Sequence, residues 1–142
     1  MGKWEENDNK GEPTICSGDL HPQAIIGLKL FNERQFFECH EALEFAWRAE
    51  DGPVRELYRG ILQVAVAYLH IERQNYRGAR KMFKRCRPWL EPFSDVCMGI
   101  NVGKLKKDYK IVETAVLRLG PDGIADLDPA LIKPIEWSLS PK

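Results

Sequence analysis

The sequence predicts an all-α fold, a single-domain antiparallel bundle of about five helices. Apolar residues recur every three to four positions in five separate stretches, which is the spacing of amphipathic helices. The connections between these stretches are short, so consecutive helices should run antiparallel. No stretch shows the apolar–polar alternation that is typical of a strand, so we expect no sheet.

Length and composition fit one globular domain. The chain has 142 residues, of which 44% are hydrophobic and 30% charged, and its formal net charge is zero. Residues 1–20 predict a polar N-terminal tail, 21–120 the helical bundle, and 121–142 a proline-containing C-terminal tail. A neutral chain has no overall field that attracts nucleic acid or a membrane, and no apolar run approaches the ~18 residues that cross a bilayer.

The first three helices have clear limits. The first should begin at Pro22, because proline suits the first helical position, and end near residue 32. The second should cover 35–49 and stop before Pro53, which starts the next helix. The third, 53–74, is apolar nearly all round in its second half, so it should lie in the middle of the bundle.

The fourth helix is predicted from its cap and its apolar face. Asn75 should cap a helix over 76–90. Pro88 should kink this helix or end it early, because proline lacks a backbone N–H. The following residues, 91–103, contain one proline and two glycines and predict a loop.

The fifth helix should extend over 102–119, with Asn101 as its cap and Gly120-Pro121 as its end. Its expected apolar face consists of Ile111, Val112, Ala115, Val116 and Leu119. The C-terminal tail should run over the surface of the bundle, held by four apolar anchors. These are Leu131, Ile132, Ile135 and Trp137.

The four cysteines, at 16, 39, 86 and 97, include no CxxC pair. A zinc ribbon or a redox dithiol is therefore not expected. Cys39 and Cys86 fall in helices and should be inert buried thiols. The simplest interpretation is a cytoplasmic protein with all four cysteines reduced and unbridged, and the first residues have no apolar stretch of the secretory-signal type.

The second helix carries the most unusual side-chain pattern. One of its faces combines Phe, His, Leu, Glu and Trp at positions 36, 40, 43, 44 and 47. Burying an unpaired ionisable group costs several kcal/mol, so His40 and Glu44 should be partnered or bound to a metal. Their i, i+4 spacing brings their Cβ atoms to within about 6 Å.

A metal site is one interpretation of this pattern. Arg59, Gln63 and His70 share a face of the third helix, and antiparallel packing could bring Gln63 and His70 towards His40 and Glu44. Ligation by His40, Glu44 and His70, completed by water, would suit Zn, Mn, Fe or Ni.

Such an ion could activate water in a metal-dependent hydrolase, with Glu41 or Glu44 as the base. Trp47, Arg59 and Gln63 would then surround the ion and its ligands. The alternative is a structural network, in which the His40–Glu44 pair also bonds Gln63 or Arg59 and ties two helices together. The residue pattern leaves both open, and it specifies no reaction or substrate.

Basic residues are concentrated between positions 73 and 110, where eleven bases and three acids give a net charge of +8. This region predicts a second class of function, a non-catalytic helical module that binds a partner or a phosphate-bearing ligand. A plain solvated face is the simpler interpretation. Nucleic acid is not expected as the partner, because aromatic interleaving and a known binding motif are missing. A homo-oligomer remains open.

Three stretches of this chain resemble the domain-of-unknown-function 309 family, whose hallmark is HxxxExx(W/Y). His40, Glu44 and Trp47 match the hallmark, and a second match runs from Arg59-Gly60-Ile61-Leu62-Gln63 to His70. The third is Gly78-Ala79 followed by Met98-Gly99-Ile100-Asn101-Val102. The resemblance covers about residues 25–105 and implies an all-helical fold. It also implies His40 and Glu44 as suspected metal ligands, with Trp47 as the packing end of the motif.

Overall fold

A computed structural model describes residue 16 and residues 18–139 of the chain. It confirms an all-α bundle, in which five helices pack against one another. The helices are α1 (Pro22–Asn32), α2 (Phe36–Ala49), α3 (Arg55–Glu72), α4 (Tyr76–Leu90) and α5 (Val102–Gly123), and two short strands are β1 (Val96–Cys97) and β2 (Ile100–Asn101). Most of the predicted N-terminal tail, 1–20, lies outside the described residues.

The helices begin where local side chains can satisfy their first N–H groups. In each of three cases the side chain before the helix accepts a hydrogen bond from the first turn. The pairs are His21 with the Gln23 N–H at 2.9 Å, Asn75 with the Gly78 N–H at 2.9 Å, and Asn101 with the Lys104 N–H at 3.0 Å. The two asparagine caps that the sequence predicted are therefore confirmed.

Two proline predictions met different outcomes. Pro88 does not end α4 early, because the helix continues to Leu90. The proline lies in the last turn, where the loss of one N–H disrupts little of the helix. At the end of α5, Gly120 has a φ of 72°, so regular helical backbone stops there as predicted. A non-glycine residue would be strained at this φ value.

The sequence predicted a loop without a sheet between α4 and α5, and this prediction was wrong. Strands β1 and β2 form an antiparallel pair, and Ile100 also pairs with Trp137 of the C-terminal segment. Met98 and Gly99 turn the hairpin with positive φ values of 54° and 83°. Strands of two residues are too short to show the alternation that identifies a strand in a sequence.

A disulfide bond contradicts the expectation of four unbridged cysteines. Cys16 is bonded to Cys97 in strand β1, with their Cα atoms 5.0 Å apart. The two residues are 81 positions apart, and no short spacing motif indicates such a bond. Cys39 and Cys86 are free and buried, as predicted.

Helix α3 is the centre of the core, as predicted. It packs against α2 on one side and α4 on the other, and α5 packs against α4. Seven of its side chains are fully buried, namely Leu57, Tyr58, Ile61, Val64, Ala65, Ala67 and Tyr68. In α5, Val112 and Val116 are buried as expected, but Ile111 is 54% exposed and so does not belong to the apolar face.

The C-terminal segment lies against the bundle through its apolar residues. Ile132 and Ile135 are buried, while Leu131 and Trp137 are partly buried against the core. Among the helices that the structure describes, none combines the length and hydrophobicity needed to cross a membrane.

Candidate functional site

A depression of about 300 Å³ lies between α2 and α3. Its lining contains most of the residues that the motif singled out. They are His40, Glu44 and Trp47 from α2, and Arg59, Leu62 and Gln63 from α3. Each set recurs every three to four positions, so each helix presents one row of side chains to the depression. The packing of two helices therefore creates one site from two sequence patterns.

His40 and Glu44 form the polar edge of this depression. The His40 Nε2 atom is 3.7 Å from Glu44 Oε1, and Arg48 Nη2 is 2.8 Å from Glu44 Oε2. The side chains of His40 and Glu44 are 30% and 35% exposed. The sequence predicted that both side chains lie inside the core. They lie instead at the rim of an open depression, because this face of α2 is only partly covered by α3.

Trp47 belongs to a stack of aromatic and cationic side chains. The guanidinium carbon of Arg59 is 4.8 Å from the Trp47 ring centroid and 4.1 Å from that of Trp89, and Arg55 lies 4.6 Å from Trp47. Arg59 also pairs with Glu56 at 3.0 Å. We call Arg55, Trp47, Arg59 and Trp89 the tryptophan–arginine stack. It joins α2, α3 and α4, and the sequence pattern did not identify Trp89 as a member.

Two polar atoms lie buried beside the depression. Within the described part of the chain, neither Trp47 Nε1 nor Gln63 Oε1 has a hydrogen-bond partner. The ionisable side chains here form two pairs, His40 with Glu44 and Arg59 with Glu56. Contact between α2 and α3 at this point comes from the tryptophan–arginine stack, from apolar packing, and from a hydrogen bond that Arg55 Nε donates to the Trp47 carbonyl oxygen at 3.2 Å.

His70 does not lie in the depression. Its Nδ1 atom is 3.2 Å from Asn75 Nδ2 at the end of α3, two helical turns, or about 10 Å, from Gln63 along the axis. Burial, and then the charge of Arg73, lower the pKa of His70. Across residue 16 and residues 18–139, no three His, Cys, Asp or Glu side chains converge as metal ligands, so His70 does not join His40 and Glu44.

Glu41, the candidate base, is exposed and does not line the depression. It follows His40 directly, so its side chain leaves α2 about 100° further round the helix. The residues that face the depression with ionisable groups are His40, Glu44 and Arg59.

The basic region separates into two parts. On the α5 side, most basic side chains contact an acidic side chain or a backbone carbonyl group. The contacts are Arg87 with Glu113, Lys104 with Asp108 at 2.6 Å, Lys110 with Glu91 at 3.5 Å, and Lys106 with the Phe93 carbonyl at 2.8 Å. This part of the predicted +8 segment is therefore largely neutralised.

The outer surface of α4 retains its charge. Five exposed bases line it, and we call them the cationic face: Arg77, Arg80, Lys81, Lys84 and Arg85. The helix contains no acidic residue. Among the described residues, none of the five forms an ion pair with an acid, and Arg80 lies 5.7 Å from the ring of Tyr76.

Comparison with known proteins finds similarity over part of the chain. Residues 25–82 match a family described as a domain of unknown function (DUF309). Over 66 residues the chain is 38% identical to the uncharacterized protein YpuF of Bacillus subtilis (strain 168). That match covers 44% of this chain and 38% of the relative's length. The family match ends before the resembling stretch at 98–102. The similarity to the DUF309 family is therefore a similarity of residues 25–82, which include most of α1, all of α2 and α3, and the beginning of α4.

Proposed function

We propose that this protein is a non-catalytic helical binding module, in which the cationic face of α4 binds an anionic partner or a phosphate-bearing ligand. One observation carries the proposal. Five exposed bases occupy a helix without acids, whereas Arg87 and the bases on the α5 side are mostly paired. Clustered charges without counter-charges raise the local potential and the rate of encounter with anions.

The proposal is tested with heparin as an immobilised polyanion. A variant with alanine at Arg77, Lys81, Lys84 and Arg85 should elute at much lower salt than the wild type, because screening removes exposed electrostatic binding. The matched control loses the same four charges elsewhere on the surface, at Lys29, Arg48, Lys107 and Arg118. It should elute close to the wild type. Equal elution of the two variants would contradict a role for α4.

A metal-dependent hydrolase is the second candidate, and a specific geometry favours it. His40 Nε2 and Glu44 Oε1 are 3.7 Å apart and face the same depression. One imidazole and one carboxylate suit Zn, Mn, Fe or Ni, and water would have to complete the coordination. The pairing of Glu44 with Arg48 opposes this arrangement, because the ion would compete with the guanidinium for the same carboxylate.

Thermal melts at neutral pH, with and without each ion, test this second candidate. An ion that binds only the folded protein raises the midpoint. The rise should disappear in His40→Ala and persist in His70→Ala, since His70 lies away from the depression. Absence of a rise in the wild type with every ion would remove the metal site and the hydrolase with it.

We also propose a cytoplasmic location, which the two free buried thiols support. The Cys16–Cys97 bond opposes this location, because a reducing cytoplasm would open it. Cells quenched in acid and alkylated under denaturing conditions should then yield protein with four labelled cysteines. Protein with two labelled cysteines would contradict this location.

A further inference from the structure

The disulfide between Cys16 and Cys97 joins two cysteines that differ in their access to solvent. Cys16 is partly buried, whereas Cys97 in β1 is fully buried. Their Cα atoms are 5.0 Å apart, which lies within the usual range for bonded cysteines. A reagent in solution therefore reaches the bond from the Cys16 side.

The other two thiols do not compete with this pair. All four cysteines lie among the described residues, and Cys39 in α2 and Cys86 in α4 are both fully buried. Burial raises the pKa of each of these two thiols to about 12, so neither provides the thiolate that attacks a disulfide. Thiol–disulfide exchange in the folded protein is thereby confined to Cys16 and Cys97.

The start of α1 is held in place by contacts other than the disulfide. Leu20 is buried against the core. The His21 N–H donates to the Tyr58 hydroxyl at 2.9 Å, and the His21 side chain caps α1. The chain after residue 19 is therefore anchored whether the bond is closed or open.

The hairpin that contains Cys97 also has independent support. The Ser138 N–H donates to the Gly99 carbonyl at 3.0 Å, and the Asn101 N–H donates to the Glu136 carbonyl at 2.9 Å. Opening the bond therefore removes a covalent connection at residue 16 and leaves both α1 and the hairpin in position.

We propose that Cys16 and Cys97 form a reversible thiol–disulfide switch, which closes on contact with a low-molecular-weight disulfide and opens in excess thiol. This inference rests on the proposed cytoplasmic location, because disulfides that form in the cytosol are usually transient or redox-sensing. An exposed bond is also reduced more readily than a buried structural one. The switch accounts for one disulfide and two free thiols in the same chain.

Glutathione disulfide is a suitable oxidant for closing the switch. The Cys16 thiolate attacks one of its sulfurs, the bond between the two glutathione sulfurs breaks, and one glutathione thiolate leaves. The Cys97 thiolate then attacks Cys16 Sγ and displaces the second glutathione thiolate. The two leaving thiolates take up the two protons that the cysteines lose. Two cysteine thiols are thus oxidised to one disulfide, and one glutathione disulfide is reduced to two glutathione molecules.

Equilibration of the folded full chain in glutathione buffers tests the switch. The protein is quenched in acid and labelled with a maleimide in denaturant, and mass spectrometry counts the labels. We expect two labels in glutathione disulfide and four in about 10 mM reduced glutathione, from oxidised and reduced starting protein alike. Protein that keeps two labels in reduced glutathione, or four in glutathione disulfide, overturns the switch.

Two serine variants test the order of attack. In glutathione disulfide, Cys97→Ser should gain one glutathione at Cys16, whereas Cys16→Ser should gain none because Cys97 is buried. Equal or reversed uptake overturns Cys16 as the attacking thiol. Reduced wild type that is quenched soon after the addition of glutathione disulfide gives the same information without a substitution, since the mixed disulfide should map to Cys16.

Circular dichroism shows whether the switch acts locally. The helical signal should be the same in both redox forms, because α1 and the hairpin keep their other contacts, and a loss of helix on reduction overturns a local switch. Failure of the proposed location gives a different result. Two labelled cysteines in resting cells, together with reversible opening in the buffers, overturn the cytoplasmic location alone. A bond that stays closed in reduced glutathione overturns the switch whatever the cells show.

Discussion

Arg59 is the residue on which the site between α2 and α3 depends most. It stacks on Trp47 and Trp89 and pairs with Glu56. Its side chain is 26% exposed, so these contacts are partly protected from water. A planar guanidinium can stack on an indole, whereas an ammonium group cannot. Arg59 therefore holds three helices together by its shape as well as by its charge.

Arg59→Ala should lower the free energy of unfolding by about 1–2 kcal/mol, because two cation–π contacts are lost. Arg59→Lys should lower the free energy of unfolding by about 1 kcal/mol, because lysine keeps the charge but has no planar group that stacks on the indole rings. Urea denaturation gives both values. Arg48→Ala is the control, because Arg48 is 71% exposed and should cost under about 0.5 kcal/mol. A lysine variant as stable as the wild type would show that stacking contributes nothing.

His70 should make the stability of the protein depend on pH. Burial and Arg73 lower its pKa from the usual 6.5, so the unfolded chain takes up a proton here at a higher pH than the folded protein. The free energy of unfolding should therefore fall as pH drops through about 6.5. Urea melts at about pH 7.5 and about pH 5.5 should show a smaller loss for His70→Gln than for the wild type. An equal loss would assign the pH dependence to other groups.

The sequence predicted relations within one helix better than relations between two helices. The i, i+4 spacing of His40 and Glu44 led to the observed pair at 3.7 Å, because helical geometry fixes that distance. The same reasoning placed Gln63 and His70 on one face of α3, but only Gln63 lines the depression. How far α2 extends along α3 depends on packing and loop geometry, which no spacing within α3 can reveal.

Helix limits were predictable because they depend on neighbouring residues. Asn75, Asn101 and Gly120 all act where the sequence indicated. The hairpin between α4 and α5 was not predictable, because it depends on contacts with a distant segment. The Ser138 N–H donates to the Gly99 carbonyl at 3.0 Å, and Trp137 pairs with Ile100. These partners are far from the hairpin along the chain.

Gly99→Ala should strongly disturb this element. A Cβ atom on Gly99 would overlap the Ser138 carbonyl oxygen, so the C-terminal segment would have to move. We expect a loss of roughly 2–4 kcal/mol in the free energy of unfolding. Gly120→Ala is the matched control, since its φ is also positive but nothing lies within 4 Å of the added carbon. It should cost about 1 kcal/mol from backbone strain alone. Equal costs for the two would mean that contact with Ser138 is unimportant.

At the scale of the whole molecule, the disulfide between Cys16 and Cys97 connects the beginning of the described chain to the hairpin. The bonded residues are 81 positions apart, so α1 to α4 all lie inside the closed loop. A bond that closes a long loop restricts the unfolded chain more than a bond that closes a short one. Stability should therefore depend on the redox state of the protein.

Reduction should lower the free energy of unfolding by about 2–4 kcal/mol, as for other disulfides that close long loops. Urea melts of the wild type with and without a thiol reductant measure this change. Cys16→Ser should match the reduced wild type, and the reductant should leave it unchanged. An unchanged wild type would contradict a contribution of the bond, and a further loss in Cys16→Ser would point to another effect of the reductant.

The free thiols of Cys39 and Cys86 can serve as natural probes of local unfolding in the bundle. Both are fully buried, and burial raises the pKa of each to about 12, so neither reacts with an alkylating reagent in the folded protein. Cys39 lies in α2 and Cys86 in α4, on opposite sides of α3. Equal labelling rates would mean that the bundle opens as one cooperative unit, and different rates would identify the helix that separates first. Native labelling without any introduced probe can thus follow local unfolding on both sides of the central helix.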